Sequence, residues 1–151
     1  MICQRCRDHI PNPQIYIKAE DGLFPMQQTP GSSGLDLVAA IDQVFFPGEM
    51  YKIPTGVTIQ MPANFEGQLR SRSGLSSRGL VMVTGLSTID QDYRYEILVP
   101  LMNATEASMF IERGDRIAQL VFQRLPSIDI VPTVYIPTDT VRTGGFGSTD
   151  E

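Results

Sequence analysis

Arg70, Arg72 and Arg78 crowd the stretch Arg70-Ser71-Arg72-Ser73-Gly74-Leu75-Ser76-Ser77-Arg78-Gly79. A guanidinium forks onto two phosphate oxygens, and hydroxyls and glycine amides add further donors, so the stretch suits phosphate on a small ligand. Asp90 follows Thr88-Ile89, a β-branched strand signal, and precedes a turn at Gln91-Asp92. A carboxylate at such a junction is rigid and reachable, whereas Asp92 suits turn capping. Gln119 is an amide inside the apolar run Ile117 to Phe122 and needs a partner there. Near the end, Arg142 is followed by Gly144-Gly145-Phe146-Gly147-Ser148-Thr149. The bland reading of that tail is a disordered terminus. The functional reading is a flap whose amides and hydroxyls meet phosphates while the Phe146 ring covers a base.

What is missing narrows the chemistry further. The single histidine is His9 and the two cysteines are Cys3 and Cys6, all at the N-terminus. The body of the chain therefore has no Ser-His or Cys-His pair, and if the chain catalyses a reaction at neutral pH a carboxylate is the expected base. Cys3-x-x-Cys6-x-x-His9 supplies three ligands where a structural zinc site takes four, so a free-thiol arm is favoured over a metal cluster. The net charge of −5 argues against a broad basic face for duplex nucleic acid. Ten of the twelve basic residues are Arg, only Lys18 and Lys52 being Lys, which again favours planar phosphate contacts. No apolar run approaches a membrane span, and the first nine residues are too polar for a secretory signal. The expected location is the cytosol, or a host cell if the gene is viral.

These groups must be positioned by short strands. A chain of 151 residues suits one domain with its own core. Eleven prolines and thirteen glycines punctuate runs of period two. Strands are expected at Ile15 to Ile17, Asp36 to Ala40, Tyr51 to Ile53, Gly56 to Met61 and Gly67 to Arg70. Further strands are expected at Leu80 to Val83, Glu96 to Leu101, Ala107 to Ile111, Ile117 to Gln123 and Ile128 to Tyr135. One short helix is expected at Leu75 to Arg78. Residues 1–13 read as an arm, 14–137 as one β domain and 138–151 as a tail. So many short strands in one domain imply a sandwich, jelly roll or barrel.

Five segments, in order, resemble the trimeric dUTPase family. They are Gly34-Leu35-Asp36-Leu37-Val38-Ala39-Ala40, Arg72-Ser73-Gly74-Leu75-Ser76, and Gly85-Leu86-Ser87-Thr88-Ile89-Asp90-Gln91-Asp92-Tyr93-Arg94. Arg113-Gly114-Asp115-Arg116-Ile117-Ala118-Gln119-Leu120 follows, and then Arg142 with Gly144 to Thr149. The resemblance implies an all-β, single-domain jelly roll of the β-clip type. It also implies a homotrimer with three sites between subunits, each closed by a C-terminal arm. The implied reaction is Mg²⁺-dependent hydrolysis of dUTP to dUMP and pyrophosphate by water attack on the α-phosphorus. That reaction keeps uracil out of DNA and supplies dUMP for dTMP synthesis. Neither membrane nor duplex nucleic acid is an implied partner.

The resemblance also assigns roles. Asp90 orients and deprotonates the water, and Gln119 contacts the α-phosphate or that water. Arg72, Ser73 and Gly74 meet the phosphates. Thr84, Gly85, Thr88 and Ile89, in a hairpin with Tyr95 to Ile97, hold uracil through backbone groups. A pocket built on such pairing can reject cytosine by ~10⁴ or more. The Tyr93 ring packs against deoxyribose, where a ribose 2′-hydroxyl collides with it. Arg142, Ser148 and Thr149 reach the γ-phosphate, Gly147 adds its amide, and Phe146 stacks on uracil. Asp36, Asp115 and Arg116 support the site. Mg²⁺ has no direct protein ligand in this reading, sitting on the triphosphate and water.

Some positions depart from the family pattern. Ser71 stands where Pro often precedes the arginine, Ser87-Thr88 replaces a small-aliphatic pair, and Tyr95 stands where Gly is usual. The tail is one residue short between Arg142 and its glycines, and ends on Asp150-Glu151. A deoxycytidine triphosphate deaminase on the same fold is opposed by the Gly-Gly-Phe-Gly-Ser-Thr tail and by Ile89-Asp90-x-Asp92-Tyr93. A non-catalytic nucleotide-binding homologue is opposed by Asp90 and Arg72-Ser73.

Overall fold

The computed structural model describes residues 12–137. Eleven short strands and one helical turn follow in order: β1 (Tyr16–Ala19), β2 (Leu35–Val38), β3 (Gln43–Phe45), β4 (Met50–Pro54), β5 (Val57–Gln60) and β6 (Phe65–Ser71). Then come α1 (Ser73–Ser76), β7 (Leu80–Met82), β8 (Leu86–Ile89), β9 (Leu98–Asn103), β10 (Met109–Ile111) and β11 (Arg116–Arg124). They form an all-β jelly roll of four small antiparallel sheets, ordered β2-β11-β6-β8, β4-β9-β7, β1-β5 and β10-β3.

Alternation explains which side faces in. In β5, Val57 and Ile59 are buried while Thr58 and Gln60 are not. In β9, Val99, Leu101 and Asn103 face inward. These residues meet Leu37, Phe45, Ile53, Leu69, Ile111, Ile117 and Leu120 in one apolar core. Buried polar side chains in that core are paired, as burial requires. Thr55 Oγ1 donates to Ile97 O at 2.8 Å, and Asn103 Nδ2 donates to Phe45 O at 3.1 Å and Ala107 O at 2.7 Å.

β11 is the organising strand, because it pairs on both sides, with β2 and with β6. Its partner β2 can lie close only because Gly34 has no side chain. A Cβ there would stand 2.6 Å from Leu120 O, 2.7 Å from Gln119 Cγ and 2.8 Å from Val121 Cγ2.

Most of the expected strands form, with ends shifted by no more than two residues, and the helical turn starts two residues early at Ser73. Three expectations need correction. β3 is a strand that its three residues did not signal; it forms because β10 pairs with it, Phe110 opposite Val44. Ile128 to Tyr135 is not a strand. Pro132 removes a ladder donor there, and the run pairs with no strand among the described residues. Its side chains stay exposed, Ile130 at 86% and Ile136 at 74%. Finally, the segments 84–89 and 95–97 do not make a hydrogen-bonded hairpin. β8 pairs with β6 instead, Ile89 opposite Gly67, while Ile97 N donates to Val57 O at 2.8 Å. Each segment has a stronger partner in the core than the other.

Candidate active site

Asp36 is the centre of a cationic cleft. It sits in β2 opposite Gln119 of β11 and is only 6% exposed. A carboxylate so buried needs charge partners. Arg72 Nε approaches Asp36 Oδ1 at 3.4 Å and Arg116 Nη1 approaches Oδ2 at 3.4 Å. Arg72 Nη1 also donates to Arg116 O at 2.9 Å. The three side chains thus fix one another, and the Arg72 side chain keeps about a quarter of its surface exposed, 26%.

β6 delivers Arg72, and α1 begins at once with Ser73. Arg72 is the helix N-cap, with no side-chain cap, so Ser73 is not spent as a capping hydroxyl. Leu75 N and Ser76 N both donate to Arg72 O, which leaves the Ser73 and Gly74 amides ahead of the first helical bond. Arg78 turns back, its Nε donating to Gly74 O at 3.3 Å, and Arg70 Nη2 donates to Gln68 Oε1 at 2.6 Å. Of the three crowded arginines, Arg72 alone lines the cleft.

The cleft has a volume of about 420 Å³ and is lined by Asp36, Arg72, Ser73, Gly74, Arg116 and Gln119, with Ser71 and Gln28 at its edge. Gln28 carried no motif; the segment before β2 has no periodicity, and only its fold over the cleft reveals it. Met26 and Asp36 exchange backbone bonds of 3.3 and 2.9 Å. Gln27 Nε2 donates to Ser32 O at 2.6 Å, and the Thr29 and Ser32 hydroxyls meet at 3.0 Å. Asp115 stays outside the cleft, its Oδ2 accepting from Glu112 N at 3.0 Å to close the turn into β11.

Asp90 lies elsewhere. Ile89 is buried and anchors the end of β8, and Asp90 beside it is exposed. It lines a second open cleft, of about 500 Å³, with Asn64, Glu66, Gln91 and Asp92. The loop is closely knit. Tyr93 N donates to Asp90 O at 3.1 Å, and Arg94 Nη1 donates to Gln91 O at 2.7 Å and Tyr93 O at 2.8 Å. Gln91 Oε1 accepts from Asn64 N at 3.0 Å, tying the loop to the turn before β6, where Asn64 has φ 63°. The Tyr93 hydroxyl donates to Glu96 O at 3.0 Å. At the other end of β8, the Thr84 and Ser87 hydroxyls meet at 2.6 Å, Gly85 turns with φ 63°, and Thr88 is exposed.

The β6–β8 register measures the separation. Ile89 stands opposite Gly67, so Asp90 flanks the start of β6, while Arg72 follows its last residue, Ser71. Asp90 thus lies beside Glu66, six residues before Arg72, and six residues of strand span roughly 20 Å. Within one chain Asp90 and Arg72 therefore line separate clefts. Arg142, Phe146, Gly147, Ser148 and Thr149 lie outside the described residues, as do Cys3, Cys6 and His9. Among the described residues, no group of three or more His, Cys, Asp or Glu side chains could hold a metal ion, and no helix is long and apolar enough to cross a membrane.

The chain resembles known proteins over most of its length. The dUTPase family model matches residues 20–150. A deoxyuridine 5'-triphosphate nucleotidohydrolase of Chlamydia trachomatis is 42% identical over 143 residues, which is 91% of this chain and 99% of that protein. The enzyme of the same name from Hydrogenobaculum sp. is 39% identical over 132 residues, covering 86% and 92%. Among solved structures, the dUTPase of Streptococcus mutans aligns with a TM-score of 0.71 and 27% identity, over 76% of this chain and 98% of that one. A variant dUTPase of Staphylococcus bacteriophage 80alpha, with dUpNHpp, aligns with a TM-score of 0.81 at 24% identity, over 90% and 98%.

Proposed function

The chain belongs to the dUTPase family and hydrolyses dUTP to dUMP and pyrophosphate, and we propose that it does so at sites shared between copies, with Asp90 of one facing the Arg72 cleft of another. The observation that carries this reading is the separation of Asp90 from Arg72 along β6. A homotrimer with three such sites satisfies it. The exposed run from Ile128 to Ile136 supports association, because apolar side chains with no cover in one chain find it on a neighbour.

In this arrangement Arg72, Ser73 and Gly74 hold the triphosphate, and Gln28 and Gln119 add amide donors at the rim. Asp36 keeps the Arg72 fork aimed without reaching the ligand itself, and Arg116 shares that load. Asp90 takes the proton of the attacking water, which lies in line behind the α-phosphorus. Its loop is held by Gln91 and Arg94, so the carboxylate needs no reorganisation when the ligand arrives. The Tyr93 ring forms the wall against the deoxyribose. Backbone groups of Thr84, Gly85, Thr88 and Ile89 face uracil; the Ile89 side chain is in the core, so only its main chain is available. Arg142, Ser148 and Thr149 close on the γ-phosphate with Gly147, and Phe146 covers the base.

Mg²⁺ fits this donor set as a passenger on the triphosphate. The cleft is lined by guanidinium, hydroxyl and amide groups, and its carboxylate, Asp36, is already engaged by two arginines. Bound there, Mg²⁺ would neutralise charge on the leaving pyrophosphate. A dUTPase of phage phi11 of Staphylococcus aureus has a structural Mg(II) ion. The deciding experiment is release of pyrophosphate from dUTP with and without Mg²⁺, with dCTP alongside. Rapid release from dUTP alone is expected; ammonia from dCTP would instead mark a deaminase, and no turnover a binding protein.

A further inference from the structure

Tyr95 is exposed over 77% of its surface, yet the residues that flank it are tightly placed. On one side Tyr93 donates its hydroxyl to Glu96 O at 3.0 Å. On the other, Glu96 Oε1 accepts from Gly56 N at 2.7 Å, and Ile97 N donates to Val57 O at 2.8 Å. From this fixed position the Tyr95 ring meets the Tyr93 ring edge to face, with centroids 5.7 Å apart and planes at 68°. Removal from water gives so exposed a ring little. Its marked effect is on its neighbour, because edge-to-face packing restrains the orientation of both rings. The Tyr93 ring is thus held at its tip by Glu96 O, packs in part against the core, and is braced at its side by Tyr95.

We propose that Tyr95 is a positioning residue for sugar selection: by packing on Tyr93 it keeps that ring where a ribose 2′-hydroxyl would have to sit. This rests on the reading of Tyr93 as the deoxyribose wall and deepens it. A ring free to swing yields to the extra hydroxyl, whereas a braced ring does not. The Tyr95 hydroxyl has no hydrogen-bond partner among the described residues, so the ring alone does the bracing.

The test compares kcat/KM for dUTP and for UTP with the full chain and Mg²⁺. Both substrates are run on one preparation of each variant, so the ratio does not depend on the fraction that folds or assembles. Tyr95→Ala is expected to lower the dUTP:UTP ratio by about two- to tenfold, the range an aromatic pair supplies. Tyr95→Phe should restore it, because the ring pair survives. An unchanged ratio in Tyr95→Ala overturns the proposal, as does an equal fall in Tyr95→Phe. Tyr93→Ala separates the two levels. If it lowers the ratio while Tyr95→Ala does not, only the role of Tyr95 fails; if it leaves the ratio untouched, the sugar wall itself is wrong and both fall.

Discussion

Asp90 and Arg72 flank opposite ends of β6, Asp90 beside Glu66 near its start and Arg72 one residue past its last. Each lines its own cleft, and within one chain neither cleft holds both a cationic cradle and an exposed base. The proposed shared site brings the two together from separate copies.

Complementation tests that directly. Asp90→Asn and Arg72→Ala should each be inactive alone. Co-expressed in equal amounts they should regain activity, because about a quarter of randomly assembled interfaces pair an intact Asp90 with an intact Arg72. Pyrophosphate release from the mixed assemblies measures this. No recovery, with mixed assembly confirmed by mass, would place both groups in one copy's site.

Asp90→Asn isolates the proton transfer. A positioned base contributes about 10²–10⁴ in rate, so kcat should fall by at least that factor while dUpNHpp, titrated by calorimetry, binds nearly as tightly as before. A parallel loss of affinity would make Asp90 a binding residue.

Asp36→Ala should damage stability and affinity together. It leaves Arg72 and Arg116 facing each other without their shared carboxylate. Because both guanidiniums are partly solvated, the cost should be about 2 kcal/mol, below that of a fully buried pair. Urea unfolding reads the first effect and the KM for dUTP the second. Asp36→Asn should retain more stability than Asp36→Ala, since the amide still fills the space and accepts a hydrogen bond.

Gly34→Ala should be destabilising although it adds one methyl group. The Cβ meets the Leu120 carbonyl at 2.6 Å, and backbone cannot rotate away. Forced separation of β2 from β11 should cost about 1–3 kcal/mol, seen as a lower melting temperature. It should also raise KM, because Asp36 and Gln119 stand opposite each other across that pair.

Much of this was written locally. Period-two runs such as Val57 to Met61 identify strands because alternation is a property of neighbouring residues. The motif around Arg72-Ser73-Gly74 announces phosphate chemistry because guanidinium and hydroxyl groups carry it wherever they stand. The absence of His and Cys from the body points to a carboxylate base, and the strand signal before Asp90 marks the end of β8, where that carboxylate is exposed.

Pairing across the chain was not legible. Gln28 reaches the cleft through the Met26–Asp36 bridge, and Gln91 steadies the Asp90 loop through Asn64, 27 residues away. β3 exists because β10 lies beside it, and the equally strand-like Ile128 to Tyr135 stays irregular because no strand among the described residues does. Residue types and short spacings determine which groups can do chemistry. Only long-range hydrogen bonding and packing decide which of them meet, because those energies depend on partners that no local window contains.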